Sequence, residues 1–321
     1  MSSHPQIAVT GAAGYIGSCV IDQLQTIHPE YELTAIDNFY RGTVRQIGDC
    51  PVEHVDIRQS ESLARALDGV DVVIHLAAIS GVEDCDDDPD RSFSVNVQAT
   101  NTIARWCQNH GAALAFPFSM AVLGDPTTFP ITSDAVRTPL NWYGKSKVLG
   151  ERAVATFADG AFPAHLFMIS NVYGTHQLPD RTVSKSVVLN FFVERALAGK
   201  PLTVYEPGTQ ARNYVHVSDI ARLYVRSTER LLEKQAAGKT GATRFAVGSD
   251  EDPSVMAIAE LVQSVAAEQL GHDVPIELVE NPRSAETLTD TFTVDTRKVT
   301  ETLGWEPQHS LRESVVAAFD R

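Results

Sequence analysis

IAVTGAAGYIGSCVIDQL, residues 7–24, changes character partway along. A short apolar run meets Gly11, Gly14 and Gly17, spaced by three, and the remainder carries its apolar residues at helical spacing. Strand, glycine-rich turn and helix in that order form a tight bend, let a pyrophosphate approach the backbone, and aim the free N–H groups of a helix start at it. Tyr15 and Ile16 belong to the same turn. A glycine-rich turn alone is weak evidence. Here the next apolar run, ELTAID (32–37), ends on Asp37, twenty residues after Gly17. A carboxylate there accepts hydrogen bonds from the adenosine ribose and repels a 2′-phosphate, which favours NAD over NADP, with Arg41 nearby keeping NADP open. Asp56, after the third strand, either meets the adenine edge or caps the following loop.

Working outward, apolar runs at 6–10, 32–37, 52–57, 71–78, 113–119 and 164–170 alternate with helical patterns. These include YIGSCVIDQLQTI, SESLARALDG and a long RSFSVNVQATNTIARWCQNHG closed by Gly111. Near-continuous apolar strands separated by helices predict an α/β fold, a Rossmann-type doubly wound parallel sheet covered on both faces. After Asn171 the rhythm loosens. The expected organisation is an NAD-binding domain, residues 1–172 with about 215–249, and a smaller interleaved substrate portion, 173–214 with 250–321.

Composition narrows the function. The formal net charge of −15 argues against nucleic acid or an anionic membrane as partner. Seven of the 26 basic residues are lysine and 19 arginine, and acid excess with scarce lysine points to adaptation to high salt. No run approaches the length of a membrane span, and MSSHPQIAVT leads straight into a strand, so a cytoplasmic protein is expected. Cys19, Cys50, Cys85 and Cys107 are widely spaced and signal neither a zinc site nor a disulfide framework. The acids of EDCDDDPDR (83–91) fit a helix start better than a metal site.

In NWYGKSK (141–147), spacing of four puts Tyr143 and Lys147 on one helical face. A phenol titrating near 10 is a poor base at neutral pH, and a neighbouring ammonium favours its ionised form. The preceding strand ends on a hydroxyl, Ser119.

With TGAAGYIG (10–17), DN (37–38), HLAA (75–78), NVQAT (96–100), VLGD (122–125) after Ser119, YGKSK (143–147), NVYG (171–174), RNYVHVSD (212–219) and LGWEP (303–307), the chain resembles the extended short-chain dehydrogenase/reductase superfamily. The likeness is to its NAD-dependent sugar-nucleotide epimerase/dehydratase branch and runs nearly end to end. It implies Tyr143 as general base, Lys147 as the residue that tunes it and holds the nicotinamide ribose, and Ser119 as the hydroxyl sharing the sugar's reacting oxygen. It places Asn38, Ile57, Leu76, Ala77, Ala78 and Asn96 beside NAD, although Asn96 also reads as a packing amide. His75 reads as a strand residue. A homodimer is implied as well.

In the family a sugar's 4-hydroxyl is oxidised, and the dehydratases and decarboxylases carry an acid one or two residues after the strand-end Ser/Thr. This chain has Met120 and Ala121 there, which disfavours dehydration and leaves 4-epimerisation of a nucleoside-diphosphate sugar, most simply a UDP-sugar, as the leading expectation. A 4-keto reductase or dehydrogenase shares the same residues. Arg212 and Arg283 resemble the family's diphosphate contacts, and Asn171 a contact to the substrate's phosphate or sugar. Asn213 replaces the usual Asp, and Met168 and Leu123 also depart from the pattern. FFVERALAG (191–199) reads as core packing.

Overall fold

A computed structural model describes residues 4–271, 273–282 and 288–320. The strands, in chain order, are β1 (Gln6–Thr10), β2 (Glu32–Asp37), β3 (Gln46–Ile47), β4 (Cys50–His54), β5 (Val72–His75), β6 (Ala113–Ser119), β7 (Pro163–Ile169), β8 (Asn171–Tyr173), β9 (His176–Leu178), β10 (Arg181–Val183), β11 (Leu202–Tyr205), β12 (Tyr214–His216), β13 (Gly241–Val247) and β14 (Ile276–Val279). Eight of them form one sheet in the order β13-β7-β6-β5-β1-β2-β4-β3. All neighbours are parallel except the β3–β4 edge pair. Chain direction across the sheet reverses at β1 and β5, so a crevice opens beyond their C-terminal ends.

The helices are α1 (Tyr15–Ile27), α2 (Ser60–Ala66), α3 (Val82–Asp87), α4 (Pro89–Phe93), α5 (Thr100–His110), α6 (Trp142–Ala158), α7 (Val188–Leu197), α8 (Val217–Ala236), α9 (Val255–Leu270), α10 (Arg297–Leu303) and α11 (Leu311–Phe319). Strand side chains alternate in direction. Thus Val73, Leu114 and Leu166 pack toward the layer holding α5 and α6, while Val72, Ile74 and Phe167 pack toward the layer holding α1 and α8. The sheet is doubly wound, as its apolar pattern predicts. A separate core joins α7, α9 and α11 to β11, and Phe192, Val193 and Ala196 of FFVERALAG lie in it.

Several details differ from the sequence reading. The expected 52–57 strand ends at His54, because the Asp56 carboxylate accepts the Arg58 N–H at 3.0 Å and turns the chain. The single long helix before Gly111 is three pieces, with a π-helical turn over Ser94–Ala99 between α4 and α5. Residues 297–305, assigned from sequence to the substrate portion, pack on the α1/α8 layer. Val299, Leu303 and Trp305 are buried there, and Trp305 Nε1 donates to the Asp219 carbonyl at 2.8 Å. Hydropathy alone does not say which core an apolar helix face joins.

Candidate active site

The crevice at the chain reversal is a cleft of about 660 Å³. Gly11, Gly14, Tyr15, Ile16 and Gly17 form its floor, Asp37 and Asn38 one end, Leu76, Ala77 and Ala78 a wall, and Ser119, Tyr143, Lys147 and Asn171 the other end.

The floor requires glycine at two points. Gly11 has φ +72°, and a Cβ on it would lie 2.7 Å from the Ala77 nitrogen. A Cβ on Gly17 would collide with the Gly11 carbonyl oxygen. The turn and the first coil of α1 therefore pack backbone on backbone, leaving the helix N-terminus open to an anion. Thr10 ties this turn to the wall. Its hydroxyl accepts the Ala77 N–H at 3.1 Å and donates to His75 Nδ1 at 2.8 Å, while His75 Nε2 donates to the Thr100 hydroxyl at 3.0 Å. The direction follows from Thr100 donating to the Asn96 carbonyl. Burial lowers His75 to about 3, so it is a neutral structural link.

Asp37 closes the far end. Its Oδ2 accepts the Ala13 N–H at 3.1 Å and its Oδ1 the Phe39 N–H at 2.7 Å. Burial raises its pKa, and these backbone N–H groups oppose the rise. Arg41 is engaged by Asp84 at 2.5 Å. Asp56 is held by Arg58, whose Nε lies 3.0 Å from Oδ1 and whose terminal nitrogen lies 2.6 Å from Oδ2. That pairing keeps its carboxyl below the ordinary range. The Arg58 N–H and guanidinium together make Asp56 the cap of the turn that leads to α2. Its neighbours Val55 and Ile57 line the cleft.

Asn96 lies behind the wall. Its Oδ1 accepts the Ile79 N–H at 2.9 Å, and its Nδ2 donates to the Ile79 carbonyl at 3.0 Å and the Ser146 hydroxyl at 3.2 Å. With both ends of the amide engaged, it positions the wall against α6.

At the end lined by Ser119, Asn141 starts α6 by accepting the Gly144 N–H at 2.9 Å, and Tyr143 and Lys147 of that helix line the cleft. Ser119 and Tyr143 line this end of the cleft together, and the Ser119 hydroxyl favours the ionised phenol. Lys147 Nζ lies 5.9 Å from the Tyr143 ring centroid. Sequence reasoning expected the ammonium to lower the phenol. Among the protein's own groups burial dominates, raising Tyr143 to about 12 against the Ser119 hydroxyl and lowering Lys147 to about 8. Charge-assisted ionisation of Tyr143 must therefore overcome desolvation.

A family model described as the NAD dependent epimerase/dehydratase family matches residues 7–243. The chain belongs to this family. Among curated relatives, a UDP-glucose 4-epimerase of Corynebacterium glutamicum is 28% identical, covering 97% of this chain and 93% of its own length. UDP-glucuronic acid decarboxylase 6 of Arabidopsis thaliana is also 28% identical, covering 98% and 87%. A solved structure of MoeE5 in complex with UDP-glucuronic acid and NAD is similar at TM-score 0.81 and 25% identity, covering 98% of each chain. NAD is the family's cofactor, and the glycine turn with Asp37 fits its pyrophosphate and adenosine ribose.

Other expected residues of the epimerase/dehydratase pattern fall differently. Asn171 lines the cleft, and its N–H donates to the Asn213 carbonyl at 3.1 Å. Arg212 stands outside the lining and donates to the Ala211 carbonyl at 2.7 Å. Arg283 lies outside the described residues. Asn213, in place of an acid, donates to the Ser249 carbonyl at 2.7 Å and accepts the Ser249 N–H at 3.0 Å, a pairing that needs an amide. Leu123 and Met168 are buried in the sheet's core. Sequence reasoning missed Ser80 and Lys185, which also line the cleft. Neither has a local signal, since they meet only through the chain crossing.

Proposed function

We propose that this protein is an NAD-dependent 4-epimerase of a nucleoside-diphosphate sugar, most simply a UDP-sugar, working through a transient 4-keto sugar. The carrying observation is the convergence of Ser119, Tyr143 and Lys147 at one end of a cleft whose floor is the Gly11–Gly17 turn. Bound NAD supplies a hydride acceptor that can return the hydride to either face of the sugar. As its phenolate, Tyr143 takes the 4-hydroxyl proton and later returns it, Ser119 donates a hydrogen bond to the reacting oxygen, and Lys147 supplies the positive charge that favours the phenolate. Met120 and Ala121, in place of an acid, offer no group to drive elimination after oxidation. Met120 is buried at 7% exposure and cannot be part of a proton path.

The relative named as a decarboxylase favours a second reading, in which the 4-keto sugar loses CO₂. A third, a reductase or dehydrogenase, uses the same residues. In the same proposal residues 1–172 with about 215–249 hold NAD, 173–214 and 250–321 hold the sugar nucleotide with 297–305 transferred to the first part, and two copies pair as a homodimer. The test is incubation with UDP-, GDP- and dTDP-sugars at high KCl while anomeric protons are followed by NMR. A new epimer without NADH build-up is the expected result. Accumulating NADH would point to a dehydrogenase, and CO₂ release to a decarboxylase.

A further inference from the structure

Two ammoniums face the cleft, and the chemistry above uses one. Lys185 comes from the connection between β10 and α7 and crosses to the opposite wall, where its Nζ donates to the Ser80 hydroxyl at 3.0 Å. That hydroxyl is the one hydrogen-bond partner of its ammonium among the described residues. The root of the side chain is fixed. Asn190 Nδ2 donates to the Lys185 carbonyl at 3.0 Å and to the Gly174 carbonyl at 2.8 Å. The Gly174 carbonyl also accepts the Tyr15 hydroxyl at 2.7 Å, which ties Lys185 to the glycine-rich turn.

Lys185 and Ser80 line the same cleft as Ser119, Tyr143 and Lys147, and the charge of Lys185, itself favoured by Asp84, helps lower Lys147. Like charges facing one cleft repel, and an anion between them relieves the repulsion. The cofactor's phosphates have their own place at the N-terminus of α1. What remains near Lys147 and Tyr143 is the sugar. An ammonium beside a hydroxyl matches a carboxylate, each donating to one oxygen in a charge-assisted arrangement.

We propose that Lys185, with Ser80 beside it, binds a carboxylate carried on the sugar ring, so that uronic-acid nucleotides are preferred over neutral sugar nucleotides. This inference rests on the sugar-nucleotide reading of the site. It is tested with wild type, K185M and K185R, each loaded with NAD, by calorimetric titration of UDP-glucuronic acid and of UDP-glucose, with NAD affinity measured separately. K185M should reduce the preference for UDP-glucuronic acid over UDP-glucose by about tenfold or more, with NAD affinity within about twofold, and K185R should recover most of the preference. Equal losses for the two sugar nucleotides would assign the charge to the diphosphate and overturn the proposal. A fall in NAD affinity, or an unchanged preference, would also overturn it. Wild type that binds NAD but neither sugar nucleotide would instead bring down the proposed function itself.

Discussion

Replacing Lys147 with methionine should stabilise the protein while abolishing turnover. Lys147 is 6% exposed, and burial lowers its ammonium from an ordinary 10.5 to about 8. At pH 7 it is protonated in both folded and unfolded chains, so folding carries the cost of burying the charge. At about 1.4 kcal/mol per pH unit, that cost is roughly 3 kcal/mol. Methionine fills similar space without charge, so K147M should gain roughly 2–3 kcal/mol and roughly 5 °C in Tm. The sign with pH follows from proton counting. Between the folded value near 8 and the unfolded value near 10.5, the unfolded chain holds a proton that the folded chain has lost. Wild type therefore gains stability as pH rises through that window, and the gap to K147M closes. Buried thiols such as Cys19, pushed up to about 12, lose stability in alkali, but they do so in both proteins and cancel in the difference. Urea unfolding at pH 7, 9 and 10, followed by tryptophan fluorescence, reads the gap directly. A K147M less stable than wild type at pH 7, or a gap that does not move with pH, would refute the reasoning and show the ammonium to be well solvated by its neighbours.

Tyr143→Phe should lower kcat by about 10²–10⁴ while leaving NAD affinity within about twofold, measured by steady-state kinetics and calorimetry. Asp37→Ala removes the acceptor at the ribose end and should weaken NAD by about tenfold while narrowing the preference over NADP. Asn213→Asp deprives the Ser249 carbonyl of its donor and should cost about 1–3 kcal/mol, read by urea titration. With a net charge of −15, Tm should rise with KCl as self-repulsion is screened. A falling Tm would remove the case for salt adaptation.

Much of this arrangement was legible in the chain. The Gly11–Gly17 turn, the acid ending β2 and the Tyr143/Lys147 spacing are local patterns, and local backbone geometry translates them directly into a bend, a strand end and a helix face. The alternation that buries Val72 and Ile74 on one side and Val73 on the other is equally local. Asn96 was harder, because its amide is spent on Ile79 and Ser146, which lie 17 and 50 residues away. Whether such a side chain meets a ligand or its own backbone depends on which loops fold around it.

By itself the sequence determined the doubly wound sheet, the glycine-rich turn, the strand-end position of Ser119 and the shared helix face of Tyr143 and Lys147, since each follows from periodicity or spacing within one or two elements. Tertiary structure alone decided that burial dominates at Tyr143, that Trp305 joins the α1/α8 layer, and that Lys185 reaches Ser80 from 105 residues away. The reason is common to all three. Desolvation and long-range contact depend on how many distant segments close around a group, and that is a property of the packed chain.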